Sequence, residues 1–167
     1  MPSSVSSSRA LFASAGLLAA IVVSATAVAC DDDNDILTPA NPTFIATMNG
    51  ANEVPAKAVA GTGTFSVVKS GATYTYTITY TGMTGALTAA HIHGPAAVGA
   101  NAVPIVPFDV TGAGASGTLT GTFTQTSFVT IPPDSLDKLM TSGNAYVNLH
   151  TTANAGGEIR GQLSKQP

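Results

Sequence analysis

An all-β fold, an antiparallel Greek-key-like β-sandwich of about eight strands with one short helix, is predicted by three features of the sequence. Hydrophobicity alternates with a period of two almost everywhere after Phe44, Gly, Pro and Asn clusters cut the alternation at short intervals, and a single segment breaks the pattern with helical spacing. Period-two alternation puts one side of each strand on a core and the other in water, and many short strands at even spacing build sandwiches or barrels.

The elements follow in order. "ATYTYTITYT" (72–81) sets Tyr74, Tyr76, Ile78 and Tyr80 on one face and threonines on the other. β-Branched and aromatic residues in that register suit a pleated, half-buried surface. "GTLTGTFTQT" (117–126) repeats the pattern with Leu119 and Phe123 in phase, and further strands are expected over 43–48, 63–69, 87–93, 103–110, 145–151 and 158–163. Turns fall at Gly94 and Pro95, at 112–117 and at 154–157. "PPDSLDKLMTSG" (132–143) begins with prolines, spaces Leu136, Leu139 and Met140 helically and closes on Gly143, which predicts one short helix. The G-x-G-x-x-G at 112–117 matches a dinucleotide fingerprint, but an alternating Thr-rich strand follows it. The pyrophosphate in that motif needs a helix N-terminus, so the stretch reads as a flexible turn.

The first 29 residues read as a signal peptide: a polar segment with Arg9, an apolar uncharged run over 10–23 and a small-residue stretch over 24–29. A transmembrane anchor is the alternative, since about 20 apolar residues cross a bilayer. Cys30, the sole cysteine, favours processing. It stands where the apolar run ends and "DDDND" begins, and "AVAC" resembles a bacterial lipobox, with Ala29 as the small residue before the cut and Ala27 in place of the usual leucine. That resemblance implies a lipidated Cys30, an acidic tether over 30–42 and a folded domain over 43–167. The expected location is the cell envelope, lipid-anchored and facing the periplasm or the exterior. Several acyl chains hold a protein to a membrane firmly where one does not. The Asp run lacks the central Gly and closing Glu of a calcium loop.

Charge excludes one class of partner. Past the leader, Lys57, Lys69, Lys138, Arg160 and Lys165 face nine acids, and the chain's net charge is −3. Nothing there neutralises a phosphate backbone, so no nucleic-acid partner is expected. With one cysteine there is no internal disulfide, and stability must come from packing.

The candidate site rests on histidines. "AAHIHGPA" (89–96) carries His91 and His93, two apart and therefore on one face of a strand, with Ile92 directed into the core. His150 in "YVNLHT" shares a face with Tyr146 and Asn148, opposite Val147 and Leu149. If the strand ends adjoin, the three imidazoles form a site for copper or zinc, metals that take nitrogen ligands where calcium and magnesium take oxygen. The other reading is structural: imidazoles hydrogen-bonded to the adjoining Gly/Asn loops. Glu158 and Arg160 share a strand face and are expected to form a structural ion pair, with Glu53 as another partner for Arg160. No second acid at catalytic spacing accompanies Glu158, and no serine sits in a G-x-S-x-G elbow, so no catalytic residues are assigned.

Four stretches, "NEVP" (52–55), "AAHIHGPA" (89–96), "NAYVNLHT" (144–151) and "GGEIRGQL" (156–163), resemble in order the CHRD domain, the chordin-type module also found in exported bacterial proteins. The likeness covers about residues 44–164. It implies an extracytoplasmic β-domain that binds an extracytoplasmic protein or glycan, without evident catalysis. A looser similarity is to copper–zinc superoxide dismutase, a Greek-key sandwich with an H-x-H pair among its copper ligands. It implies metal binding at His91, His93 and His150, and further a superoxide-dismutase-like activity. This chain has no second cysteine for that family's disulfide and no further histidine for a second metal.

The anchor is testable directly. Cys30→Ser is expected to abolish labelling by a radioactive lipid precursor and to leave the protein misprocessed or released. Undiminished labelling would instead favour a membrane-spanning leader.

Overall fold

The structure, a computed structural model, describes residues 41–125, 131–132 and 135–167. The signal peptide, Cys30 and nearly all of the tether lie outside the described residues, as do Pro133 and Asp134 of the helical segment. Among the described residues no helix is long and apolar enough to cross a membrane.

The strands are β1 (Thr43–Asn49), β2 (Thr62–Ser70), β3 (Thr73–Thr81), β4 (Leu87–His93), β5 (Pro104–Pro107), β6 (Gly117–Thr124), β7 (Tyr146–Thr151), β8 (Ile159–Gln162) and β9 (Ser164–Lys165), with one helix, α1 (Ser135–Thr141), and a 3-10 turn at Gly50–Asn52. All pairings are antiparallel, in the order β5-β4-β7-β8-β1-β2-β3-β6, with β9 also on β1. The chain leaves β3 for β4 and β5 for β6 by crossing between the two halves of this sheet, the Greek-key-like trait expected of it.

The sheet curls until its ends face each other. Phe108, just past β5 at one end, has its ring 4.5 Å from Tyr76 in β3, 5.7 Å from Phe65 in β2 and 6.1 Å from Phe123 in β6 at the other. The alternating residues of β3 explain this closure. Tyr74, Tyr76, Ile78 and Tyr80 are all buried, while Thr73, Thr75, Thr79 and Thr81 are exposed. Each such large side chain contributes about 1.5–3 kcal/mol on burial. The sandwich predicted from sequence is therefore the fold.

α1 plugs one end of the core. Leu136 and Met140 are buried, and Gly143 at φ +69° ends the helix as Asn144 N–H reaches back to the Leu139 carbonyl at 2.7 Å. Asp137 pairs with Lys69 and accepts from the Tyr74 hydroxyl at 2.5 Å, which ties the helix to β2 and β3. The 112–117 turn leads into β6, a strand. The strand expected over 103–110 stops at Pro107, because Phe108 turns into the core; β9 and the 3-10 turn were not foreseen.

β8 and β1 approach so closely that a Cβ on Gly161 would stand 2.6 Å from the Thr47 carbonyl oxygen. Backbone cannot swing aside as a side chain can. Gly161→Ala is expected to destabilise the domain by roughly 1–3 kcal/mol, read as a lower denaturant midpoint at unchanged m-value.

Candidate metal centre

Strands β4, β7 and β8 turn their second face away from the core. Cross-strand register lines up His93 with Tyr146 and Gln162, and His91 with Asn148 and Arg160. An open antiparallel sheet would leave this face wet. Here every residue of β7 is buried, on both faces, because segments 50–55, 94–103 and 152–157 fold over it.

The three histidines meet in this layer. One ligating nitrogen from each of His91, His93 and His150 lies within 4.8 Å of the other two. His93 Nδ1 is 2.9 Å from the Ala102 carbonyl and His150 Nδ1 is 3.0 Å from the Ala155 carbonyl. A carbonyl oxygen only accepts, so both Nδ1 atoms carry the proton and both Nε2 atoms present lone pairs. His93 Nε2 is buried without a hydrogen-bond partner, and His150 Nε2 stands 3.4 Å from His91 Nδ1. The expected convergence of the three imidazoles is thus present; the expected bonding to the flanking loops is made by His93 and His150 but not by His91, which bonds His150 instead.

Electrostatics keep the rings neutral. Burial pushes His93 down to about 4, with the charges of His91, His150 and Arg160 adding to it and the Ala102 carbonyl opposing. Burial also lowers His91, helped by His150, and it lowers His150 against the pull of the Ala155 carbonyl. At neutral pH the nitrogens are free to ligate without first losing protons. Three imidazoles and no carboxylate form a donor set for copper or zinc.

The surroundings fix this geometry. Tyr146 is sandwiched, its ring 4.8 Å from His93 at 8° and 3.4 Å from the Arg160 guanidinium carbon. Its hydroxyl accepts from Ala102 N–H at 3.1 Å, so Tyr146 and His93 hold the same residue from either side of its Cα. Gln162 Nε2 donates to the carbonyls of Ala96 and Gly143 at 2.8 and 2.7 Å, clamping the roof.

The expected Glu158–Arg160 ion pair is not formed. Arg160 donates to the Ala100 carbonyl at 2.8 Å, to Asn101 Oδ1 at 3.2 Å and to Gln162 Oε1 at 3.3 Å. Glu158, fully buried, accepts from Thr84 N–H at 2.7 Å, Asn154 Nδ2 at 3.0 Å and the hydroxyls of Thr84 and Thr151. The two side chains are enclosed by different loops, and each finds its partners there. Among the described residues, the ion pair that does form is Lys69–Asp137. Glu53, the other partner considered for Arg160, acts on it through the field, without a close contact.

Fold and site define a class: an all-β module with a buried polar layer on one face and three converging imidazoles. Residues 44–163 match the family model of the CHRD domain, and the chain belongs to that family. No curated protein matches it.

Burial alone would raise the Glu158 pKa, but the donors of Thr151, Thr84 and Asn154 together hold it below its ordinary 4.5. A depressed carboxylate stabilises above its unfolded value and loses that contribution as pH falls through the folded one. Glu158→Gln is therefore expected to lower the melting temperature at pH 7, with the gap to wild type closing in thermal melts below pH 4.5.

Proposed function

We propose that this CHRD protein is a cell-envelope binding module, tethered outside the cytoplasm through lipid on Cys30, that holds one copper or zinc ion on His91, His93 and His150. One observation carries the metal reading: three imidazoles kept neutral by burial, with ligating nitrogens within 4.8 Å and a buried, partnerless Nε2 on His93. Family membership supports the binding module, and the lipobox-like "AVAC" with its acidic spacer supports the tether. Three protein nitrogens leave one tetrahedral position open, so a bound ion could be presented to an extracytoplasmic protein or glycan. His91 is the half-exposed member of the three, whereas His93 and His150 are buried.

The purified protein is expected to retain about one copper or zinc ion after dialysis, as a three-nitrogen site would. Metal should raise the melting temperature, because a ligand of the folded state stabilises it by mass action. Each single change His91→Ala, His93→Ala or His150→Ala should weaken uptake sharply, whereas Asp137→Asn, whose carboxylate pairs with Lys69 and Tyr74, should not. Equal metal content in wild type and the triple alanine variant would overturn the reading.

A further inference from the structure

Glu53 is a second buried carboxyl group, 6% exposed, and the centre described above does not use it. The segment after the 3-10 turn lays it over the middle of β7, where Asn148 Nδ2 donates to its Oε2 at 3.4 Å. Its other oxygen, Oε1, and Asn148 Oδ1 are both buried without a hydrogen-bond partner. Both crowd the same spot. A Cβ placed on Gly157 would stand 2.8 Å from Glu53 Oε1 and 2.7 Å from Asn148 Oδ1.

The same point lies 2.5 Å from Asn148 Nδ2, so the whole amide of Asn148 and Glu53 Oε1 adjoin it, with two of the three atoms being acceptors without a partner. A proton on Glu53 Oε1 makes that oxygen a donor and Asn148 Oδ1 its acceptor, which satisfies both. The groups around Glu53 are Asn148 on β7, Arg160 on β8, Lys57 farther along its own segment and the Val54 backbone. All of them favour the carboxylate, yet burial outweighs them and pushes Glu53 up to about 7. Asn148, on which Glu53 rests, is the cross-strand neighbour of His91 on one side and Arg160 on the other. The acid is thus one residue removed from the ligand cluster.

Charge gives this placement its consequence. A dication on three neutral imidazoles, near Arg160, would be enclosed with no anionic ligand. We propose that Glu53 matches the charge of the site to that of its ion. In the metal-free protein it carries a proton shared with Asn148, and when a dication enters it releases that proton to solvent, leaving a carboxylate beside the new charge. Two charges arrive and one leaves. A monovalent copper ion calls for that compensation far less, so Glu53 discriminates in favour of dications. This inference rests on the metal reading above.

The test uses the full chain, wild type and Glu53→Gln, titrated with zinc by calorimetry at pH 6.5 in buffers of different ionisation enthalpy. Infrared difference spectra accompany the titrations. Wild type is expected to release about half a proton or more per zinc beyond what Glu53→Gln releases, given a carboxyl pKa that falls by at least about one unit. The same shift makes zinc binding by the variant about tenfold weaker at pH 8 and nearly equal to wild type at pH 5. Copper(I) affinity, measured by competition with a chelator, should differ only about threefold at pH 8, since half the charge gives half the interaction energy. The spectrum of the metal-free wild type should show a protonated carboxyl band that zinc removes and that Glu53→Gln lacks. That band decides the matter on wild-type protein even if the variant folds poorly. Zinc uptake by the histidines with no Glu53-dependent proton release, or with no such band, overturns this inference and leaves the metal reading standing. Uptake of copper(I) alone overturns this inference and leaves the metal reading standing, and uptake of neither zinc nor copper overturns both.

Discussion

The constraint on which the rest depends is that β7 is enclosed on both faces. Val147 and Leu149 face the hydrocarbon core, and Tyr146, Asn148 and His150 face a roof of loops. Polar groups shut away from water each cost about 1–3 kcal/mol unless they are bonded. The roof therefore supplies fixed acceptors: the Ala102 carbonyl for His93, the Ala155 carbonyl for His150, the Ala100 carbonyl for Arg160 and the Ala96 carbonyl for Gln162. The same bonds that make the layer tolerable hold the loops down. Without the loops the layer would be an ordinary wet sheet face, and without the layer the loops would have nothing to grip.

Much of the fold was legible because its code is local. The alternation of Tyr and Thr in β3 marks both its length and its buried face, and the prolines and Gly143 around α1 mark the helix. The convergence of the histidines was legible too. H-x-H fixes two imidazoles on one face, and the polar register of "YVNLH" puts a third on the matching face of another strand. The partners of Glu158 and Arg160 were not legible, for a physical reason. A two-residue spacing says that side chains share a face but not what lies over that face. Thr84 reaches Glu158 from the turn before β4, and Ala100 and Asn101 reach Arg160 from the loop after it. Those contacts are long-range, and no periodicity encodes them. β9, only two residues long, is too short to carry any pattern.

The metal reading and the scaffolding reading of the histidines, set against each other by the sequence, turn out to use different atoms of the same rings. Each of His93 and His150 spends Nδ1 on a loop carbonyl and keeps Nε2. A backbone carbonyl behind an imidazole fixes its tautomer and aims its free nitrogen, the usual support of a metal-ligating histidine. Scaffolding alone explains the two Nδ1 bonds. It accounts as well for the 3.4 Å contact, in which His91 Nδ1–H can donate to His150 Nε2, but not for His93 Nε2, buried without a partner.

Unsatisfied groups in a layer otherwise so completely bonded point to where the fold has traded stability for something else. The orphans are not scattered: His93 Nε2, Asn148 Oδ1 and Glu53 Oε1 all belong to the roofed face of β4 and β7, while the buried carboxylate of Glu158 nearby has four donors. The contrast between the two buried glutamates is instructive. Both lose water, but Glu158 recovers hydroxyl and amide donors and stays ionised, whereas Glu53 recovers one long amide bond and distant cations and holds its proton near pH 7. One acid is finished as structure. The other keeps one oxygen without a partner, as His93 keeps its Nε2.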